Sequence, residues 1–195
     1  MQSFAYDHID AWIDGGSGIG RWHLTGFYGS PETKRRPEAW VKLKFLKNSS
    51  SLPQLVIGNF NKIIGLLEKD GGRIRPKRQM ELFLEVINFC ALRDLGFVGP
   101  KFTWLFQQRD GFQIRERLDR ALGSTDWMNL FSRAMLHHLS SSVFDHSPLS
   151  LHLKNRPCKR SKRWLFRFES MWLKDARCEE VVKEAWEEGE LLGPN

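Results

Sequence analysis

Residues 56–61 read Val-Ile-Gly-Asn-Phe-Asn, and residues 145–148 read Asp-His-Ser-Pro. The apolar run Leu55-Val56-Ile57 delivers polar side chains to its C-terminal end. Far downstream, the Asp-His pair opens a second apolar run, Leu149-Ser150-Leu151. Short apolar runs bounded by turn residues read as buried strands. The two stretches are therefore expected to carry Asn59, Asn61, Asp145 and His146 to one common hollow.

Working outward, Ile9, Ala11 and Ile13 alternate with polar partners, as do Trp22, Leu24, Gly26 and Tyr28. Period-two patterning predicts strands over 8–14 and 20–28, with Gly15-Gly16-Ser17-Gly18 as the turn between them. Pro37 near the start, then Trp40, Val41, Leu43 and Phe45, predicts a helix that Ser49-Ser50-Ser51 and Pro53 end. Residues 54–58 read as a buried strand and 62–76 as a long surface loop. Met80, Phe83, Leu84, Ile87, Cys90 and Ala91 share one face of a helix predicted over 77–92. Strands are expected near 93–97, 102–106, 112–119, 134–139 and 148–153, with a short helix over 124–131. Strands interrupted by a few unevenly spaced helices predict an α+β sandwich.

After Leu153 the character changes. Lys154, Arg156, Lys159, Arg160, Lys162, Arg163 and Arg167 follow with no acid among them, whereas residues 168–195 are mainly acidic. The expected organisation is a domain over 1–153, a basic linker over 154–167 and a helical connector over 168–195. The net charge is +7 and the pI about 9.5. Arg160 and Arg163 in the basic run suit phosphate neutralisation, and a solvated linker is the plainer alternative. Eight tryptophans and fourteen phenylalanines exclude global disorder. No run approaches the roughly 18 apolar residues of a membrane span, so no membrane partner is expected. The first residues lack the pattern of a signal peptide. Cys90, Cys158 and Cys178 fit neither a disulfide framework nor a zinc site, which suits a reducing, intracellular compartment.

Phosphodiester hydrolysis needs a hard cation on the phosphorus oxygens, a base for water, and donors that hold the equatorial oxygens. Tyr28, Asn61, Asp119, Asp145 and His146 supply suitable groups. Each has a plainer reading when taken singly. Asn61 can cap a turn, and Asp145-His146-Ser147-Pro148 can form one. Asp119 lies in Arg115-Glu116-Arg117-Leu118-Asp119-Arg120, an alternation that usually marks a solvated strand face.

The order of motifs resembles the endonuclease/exonuclease/phosphatase superfamily, and more narrowly the endonuclease domain of plant non-LTR (LINE-type) retrotransposons. It is carried by Thr25-Gly26-Phe27-Tyr28-Gly29, Ile57-Gly58-Asn59-Phe60-Asn61, Gly71-Gly72-Arg73 through Arg78-Gln79-Met80, Lys101-Phe102-Thr103-Trp104, Arg115 through Ala121, and Phe144-Asp145-His146-Ser147-Pro148. The resemblance implies a four-layer αββα sandwich like deoxyribonuclease I and DNA nicking with Mg²⁺ or Mn²⁺. It implies DNA as partner, nuclear work, and a reverse transcriptase joined in cis through a segment like residues 166–186.

The resemblance also implies roles. Tyr28 lies beside the scissile phosphate, Asn61 donates to it and helps place water, Asp145 sits at the metal and water site, and Asp145 and Asn61 are the metal residues. His146 contacts the phosphate, oriented by Asp119, while Thr103 and Trp104 support the site or its DNA-facing rim. Two departures stand out. The family motif is Gly-Asp-Phe-Asn, whereas this chain has Asn59. The family's metal-binding Glu precedes the region that starts here, so the first strands are expected to be missing. The expectation is a hydrolase by descent that is impaired in this copy. A non-catalytic nucleic-acid-binding fragment, a functionless relic and a small-phosphoester phosphatase are the alternatives.

Overall fold

Alternating side chains build the strands over 8–14 and 21–28. The computed structural model describes residues 3–16, 18–107, 111–140, 145–153, 177, 179–180 and 183. β1 (Ser3–Ala5) pairs antiparallel with β2 (His8–Asp14), and β2 with β3 (Arg21–Tyr28). The chain then crosses over through α1 (Arg36–Asn48) to β4 (Gln54–Asn59), which runs parallel to β3. α2 (Lys77–Phe89) leads to β6 (Leu92–Asp94), and β9 (Asp119–Ser124) inserts antiparallel between β4 and β6. The resulting six-stranded sheet has the order β1-β2-β3-β4-β9-β6.

Its two faces have different covers. On one, Phe27, Val56 and Leu122 pack with Trp40 and Leu43 of α1 and Phe83, Val86 and Ile87 of α2. On the other, Trp22, Leu55 and Ala121 pack with Trp127 of α3 (Thr125–Leu130), Phe131 and Leu136. Leu136 belongs to a second sheet, the antiparallel pair β10 (Met135–His138) and β11 (Leu149–His152). Removing side chains such as Leu43, Leu55 and Phe83 from water is worth about 1.5–3 kcal/mol each. A third sheet joins β5 (Lys69–Asp70), β8 (Gln113–Glu116) and β7 (Trp104–Gln107), with β8 in the middle. Helices on one face and a second sheet on the other make an α+β sandwich.

The segment 62–76 is not a plain surface loop. It holds a 3-10 turn over Leu66–Glu68 and then β5. The strand expected over 112–119 is two strands in different sheets, β8 and β9, broken at Arg117-Leu118. The helix expected to reach residue 92 stops at Phe89, because Ala91 turns to φ +48° and Leu92 opens β6. β6 itself ends at Asp94, short of the 93–97 reading. β1 carries no alternation long enough to mark it.

The charged run 115–120 is not a solvated face. Arg120 is fully buried and Glu116 is 1 % exposed. Arg117 donates to Glu68 at 2.9 Å and Asp94 at 2.8 Å, and Arg120 donates to the same two carboxylates at 2.8 and 2.9 Å. Burial pushes the Asp94 carboxyl up, but the Arg117 hydrogen bond and the Arg120 charge outweigh it and hold the group below its ordinary value. Buried charges persist only when paired in this way.

Cys90 is a free, buried thiol, pushed up to about 11 by burial, which matches its reading as an idle thiol. Cys158 and Cys178 lie outside the described residues, as do the basic run with Arg160 and Arg163 and most of the expected connector. The chain divides into units Met1–Arg156 and Pro157–Asn195. In the second, Glu179, Glu180 and Lys183 are helical, with Lys183 and Glu179 paired at 3.2 Å. Among the described residues no helix is long and apolar enough to cross a membrane.

Candidate functional site

Three strands of the large sheet end together. Tyr28 is the register partner of Asn59, and Asn59 is the register partner of Asp119. Tyr28 and Asn59 share strand parity with Trp22 and Leu55, and Asp119 with Ala121, so all three stand on the face that meets α3 and β10. The resulting row crosses β3, β4 and β9 where the apolar core stops.

The turn after β4 is tightly built. Gly29 N–H donates to Asn59 O at 2.7 Å, and Phe60 N–H donates to Leu118 O at 2.9 Å. A Cβ on Gly29 would meet Phe60 O at 2.5 Å, so the close approach of the two strand ends requires glycine there. Asn61 takes φ +50°, a conformation asparagine tolerates better than most residues. Its N–H donates to Asn59 Oδ1 at 2.7 Å and its Nδ2 donates to Gly29 O at 2.7 Å. Asn61 thus forms the turn, as its plainer reading expects, at the end of the Tyr28–Asn59 row.

His146 reaches the row from the far segment. Its Nδ1–H donates to Asp119 Oδ2 at 2.8 Å. That bond, against opposing desolvation, holds the imidazole above its ordinary value. The 145–147 segment is stitched to the start of β7: Leu105 N–H donates to Asp145 O at 2.9 Å and Ser147 N–H to Thr103 O at 2.7 Å. Nδ1 being committed to Asp119, Nε2 is the ring nitrogen that remains for a ligand. His146 therefore joins the strand-end row through Asp119, the register partner of Asn59, while Asp145 lines a separate cavity with Thr103, Trp104 and Arg115.

Thr103 serves this geometry from behind. It is 1 % exposed, and its Oγ1 accepts from the N–H groups of Leu118 and Asp119, both at 3.0 Å. A buried side chain cannot touch DNA, so of the two expected roles Thr103 takes the supporting one. Trp104 is half-buried against Ile63, Met80 and Leu118 and stacks on Phe106. Asp145 and Tyr28 are exposed.

Sequence reading missed a set of cations beneath the same turn. Arg36 donates to Ser30 O at 3.3 Å and Pro31 O at 2.9 Å. Buried Lys62, which follows Asn61, donates to Gln79 and is lowered to about 8 by burial and by the charges of Arg36 and Arg75. Lys69 and Arg75 both bind Glu116. The one available signal was a lysine directly after Asn61; exposed and buried lysines look alike in a sequence.

The residues present do not fit a bound Mg²⁺ or Mn²⁺. Among the described residues no three His, Cys, Asp or Glu side chains group closely enough to hold a metal. Asp119 is engaged by His146, and Asn59 Oδ1 by Asn61 N–H. Asp145 and Asn61, the expected ligands, offer one carboxylate and one amide oxygen. Hard divalent cations seek several oxygen ligands, carboxylates foremost. What this cluster does offer is an imidazole biased toward its cation, held by Asp119 beside the Asn59–Asn61 amides.

No family model and no curated relative matches the sequence. Solved structures are similar, among them the following two. One is the endonuclease domain of TRAS1, a telomere-specific non-LTR retrotransposon, with TM-score 0.58 and 12 % identity over 76 % of this chain and 64 % of that one. The other is the 3′ phosphatase NExo from Neisseria, bound to a product DNA hairpin, with TM-score 0.54 and 15 % identity over 76 % of this chain and 65 % of that one. The chain spans less than two thirds of either. Its fold is a deoxyribonuclease I-like α+β sandwich, shared with these two domains.

Proposed function

We propose that this domain grips the phosphodiester backbone of DNA at the Tyr28–Asn59–Asp119–His146 row, as a hydrolase by descent whose cutting is impaired in this copy. One observation carries the reading: Asn59 lies at the centre of the row, between Tyr28 and the Asp119–His146 pair. An amide there keeps the shape of a carboxylate and its hydrogen bond to Asn61. It cannot take a proton from water, and losing a positioned base costs about 10²–10⁴ in rate. The donor set that fails to fit a divalent metal supports the same conclusion.

His146, Asn61 and Tyr28 would hold phosphate oxygens, and Asp145 would hold a water. The net charge of +7 favours a polyanionic partner. The six ordered motifs and the fold shared with a retrotransposon endonuclease support a plant LINE-type origin, with nuclear DNA as partner and a reverse transcriptase in cis. The test is nicking of supercoiled plasmid in Mg²⁺ or Mn²⁺, run beside salt-dependent DNA binding. The expected result is binding without nicking above buffer background. Robust nicking that disappears in His146→Ala would overturn the impairment, and absence of DNA binding would overturn the whole reading.

A further inference from the structure

A cavity of about 390 Å³ opens on the side of Tyr28 away from His146's segment, between the β1–β2 turn and the start of α1. The chain has two tyrosines, and both line it. Tyr28 belongs at once to this cavity and to the phosphate row, as the register partner of Asn59. Tyr6, in the β1–β2 turn, is 84 % exposed. Its Oη accepts from Arg35 Nη2 at 3.4 Å. An exposed aromatic ring beside a strand-end phosphate site is a stacking platform for a base.

The charges around the rim narrow the ligand further. Lys42 is bound to Asp7 at 3.0 Å and Arg35 lies 3.7 Å from Glu38, so these cations are matched by carboxylates. Glu32, also on the wall, has no ion pair among the described residues. Such a cavity does not suit a second phosphate. It suits a flat neutral ring that presents N–H donors to a carboxylate, which describes cytosine, adenine and guanine but not thymine through its exocyclic group.

We propose that this cavity receives the base of the nucleotide flanking the phosphate held at Asn61 and His146, stacked on Tyr6 and read by Glu32 as an amine-bearing base. The inference rests on the phosphate-binding reading above and adds a position and a preference to it. Neither Tyr6 nor Glu32 touches the phosphate row, so both can be changed without dismantling it.

Fluorescence anisotropy with labelled single-stranded oligo-dC, oligo-dA and oligo-dT, in EDTA, tests it on the full chain. The expected result is tighter binding of dC and dA than of dT. Tyr6→Ala should weaken dC and dA binding about five- to a hundredfold, the range for loss of one stacked base. Glu32→Gln should bring dC and dA down toward dT and leave dT unchanged. Binding of all three oligonucleotides that is indifferent to Tyr6→Ala and Glu32→Gln overturns this inference alone. No binding to any oligonucleotide overturns it together with the phosphate-binding reading.

Discussion

The Asp119–His146 pair makes the sharpest demand on the account. The Nδ1–Oδ2 bond is 2.8 Å, Asp119 is buried, and the His146 side chain is 31 % exposed. A hydrogen bond to a charged group is worth about 1.5–3 kcal/mol, and partial exposure brings the net toward about 1 kcal/mol. The sign follows from the direction of the shift. The folded pKa of His146 is raised, so the pair's charge-dependent stabilisation is fully present below the unfolded histidine pKa and fades as pH rises through the folded one.

Asp119→Asn keeps the shape and the backbone bonds to Thr103 but removes the charge. It should lower stability by about 1 kcal/mol at pH 6, and by less at pH 8.5, in urea denaturation. The His146 ring, followed by NMR, should titrate at lower pH in the variant than in the parent. DNA affinity should fall in both proteins as His146 deprotonates. Its salt slope should shrink by about 0.9, because the neutral ring no longer neutralises a phosphate. An unchanged or raised His146 titration in Asp119→Asn would refute the claim that Asp119 sets the charge of this imidazole.

Other changes probe the frame around the site. Thr103→Val, which strands two buried N–H groups, should cost about 2–4 kcal/mol by denaturant titration, whereas Thr103→Ser should stay close to the parent. Gly29→Ala drives a methyl group against Phe60 O and should lower the thermal midpoint by several degrees, in line with a cost of about 2 kcal/mol; an unchanged midpoint counts against the tight strand-end geometry. Glu116→Gln leaves Lys69 and Arg75 without their buried carboxylate and should destabilise by about 3–5 kcal/mol near neutral pH. Burial raises the Glu116 carboxyl, but Arg75 and Lys69 outweigh that and hold it low, so the contribution is present above the ordinary glutamate value and disappears as acid titrates through the folded one. Asn59→Asp should fold normally, since a carboxylate can also accept from Asn61 N–H, and should still fail to nick plasmid because the donor set remains short of metal ligands.

The strands over 8–14 and 149–152 were legible because one face of each is apolar, and 54–59 because its short run Leu55-Val56-Ile57 is apolar on both faces. α2 was legible in its middle, through Met80, Phe83 and Ile87, but not at its end, where a left-handed Ala91 gives no compositional sign. The run 115–120 misled for a physical reason. Alternating charges mark a water-facing strand only when their partners are water, and here the partners are Glu68 and Asp94, distant in sequence. The same long-range pairing turned 62–76 from loop into ordered structure. The site was legible as a set of residue types at strand ends, because Asn61, Asp119 and His146 each need a turn or a sheet terminus. Thr103's role was only half legible, since nothing local tells a hydroxyl that holds a backbone from one that meets a ligand.

Asn59, Asn61, Asp119 and His146 together are proposed to bind one backbone phosphate. A crystal structure of the protein with a short DNA hairpin tests that proposal most directly. A backbone phosphate is expected within hydrogen-bond distance of His146 Nε2 and the Asn61 side chain, beside Tyr28. DNA bound elsewhere on the surface, with no phosphate at His146, would contradict it.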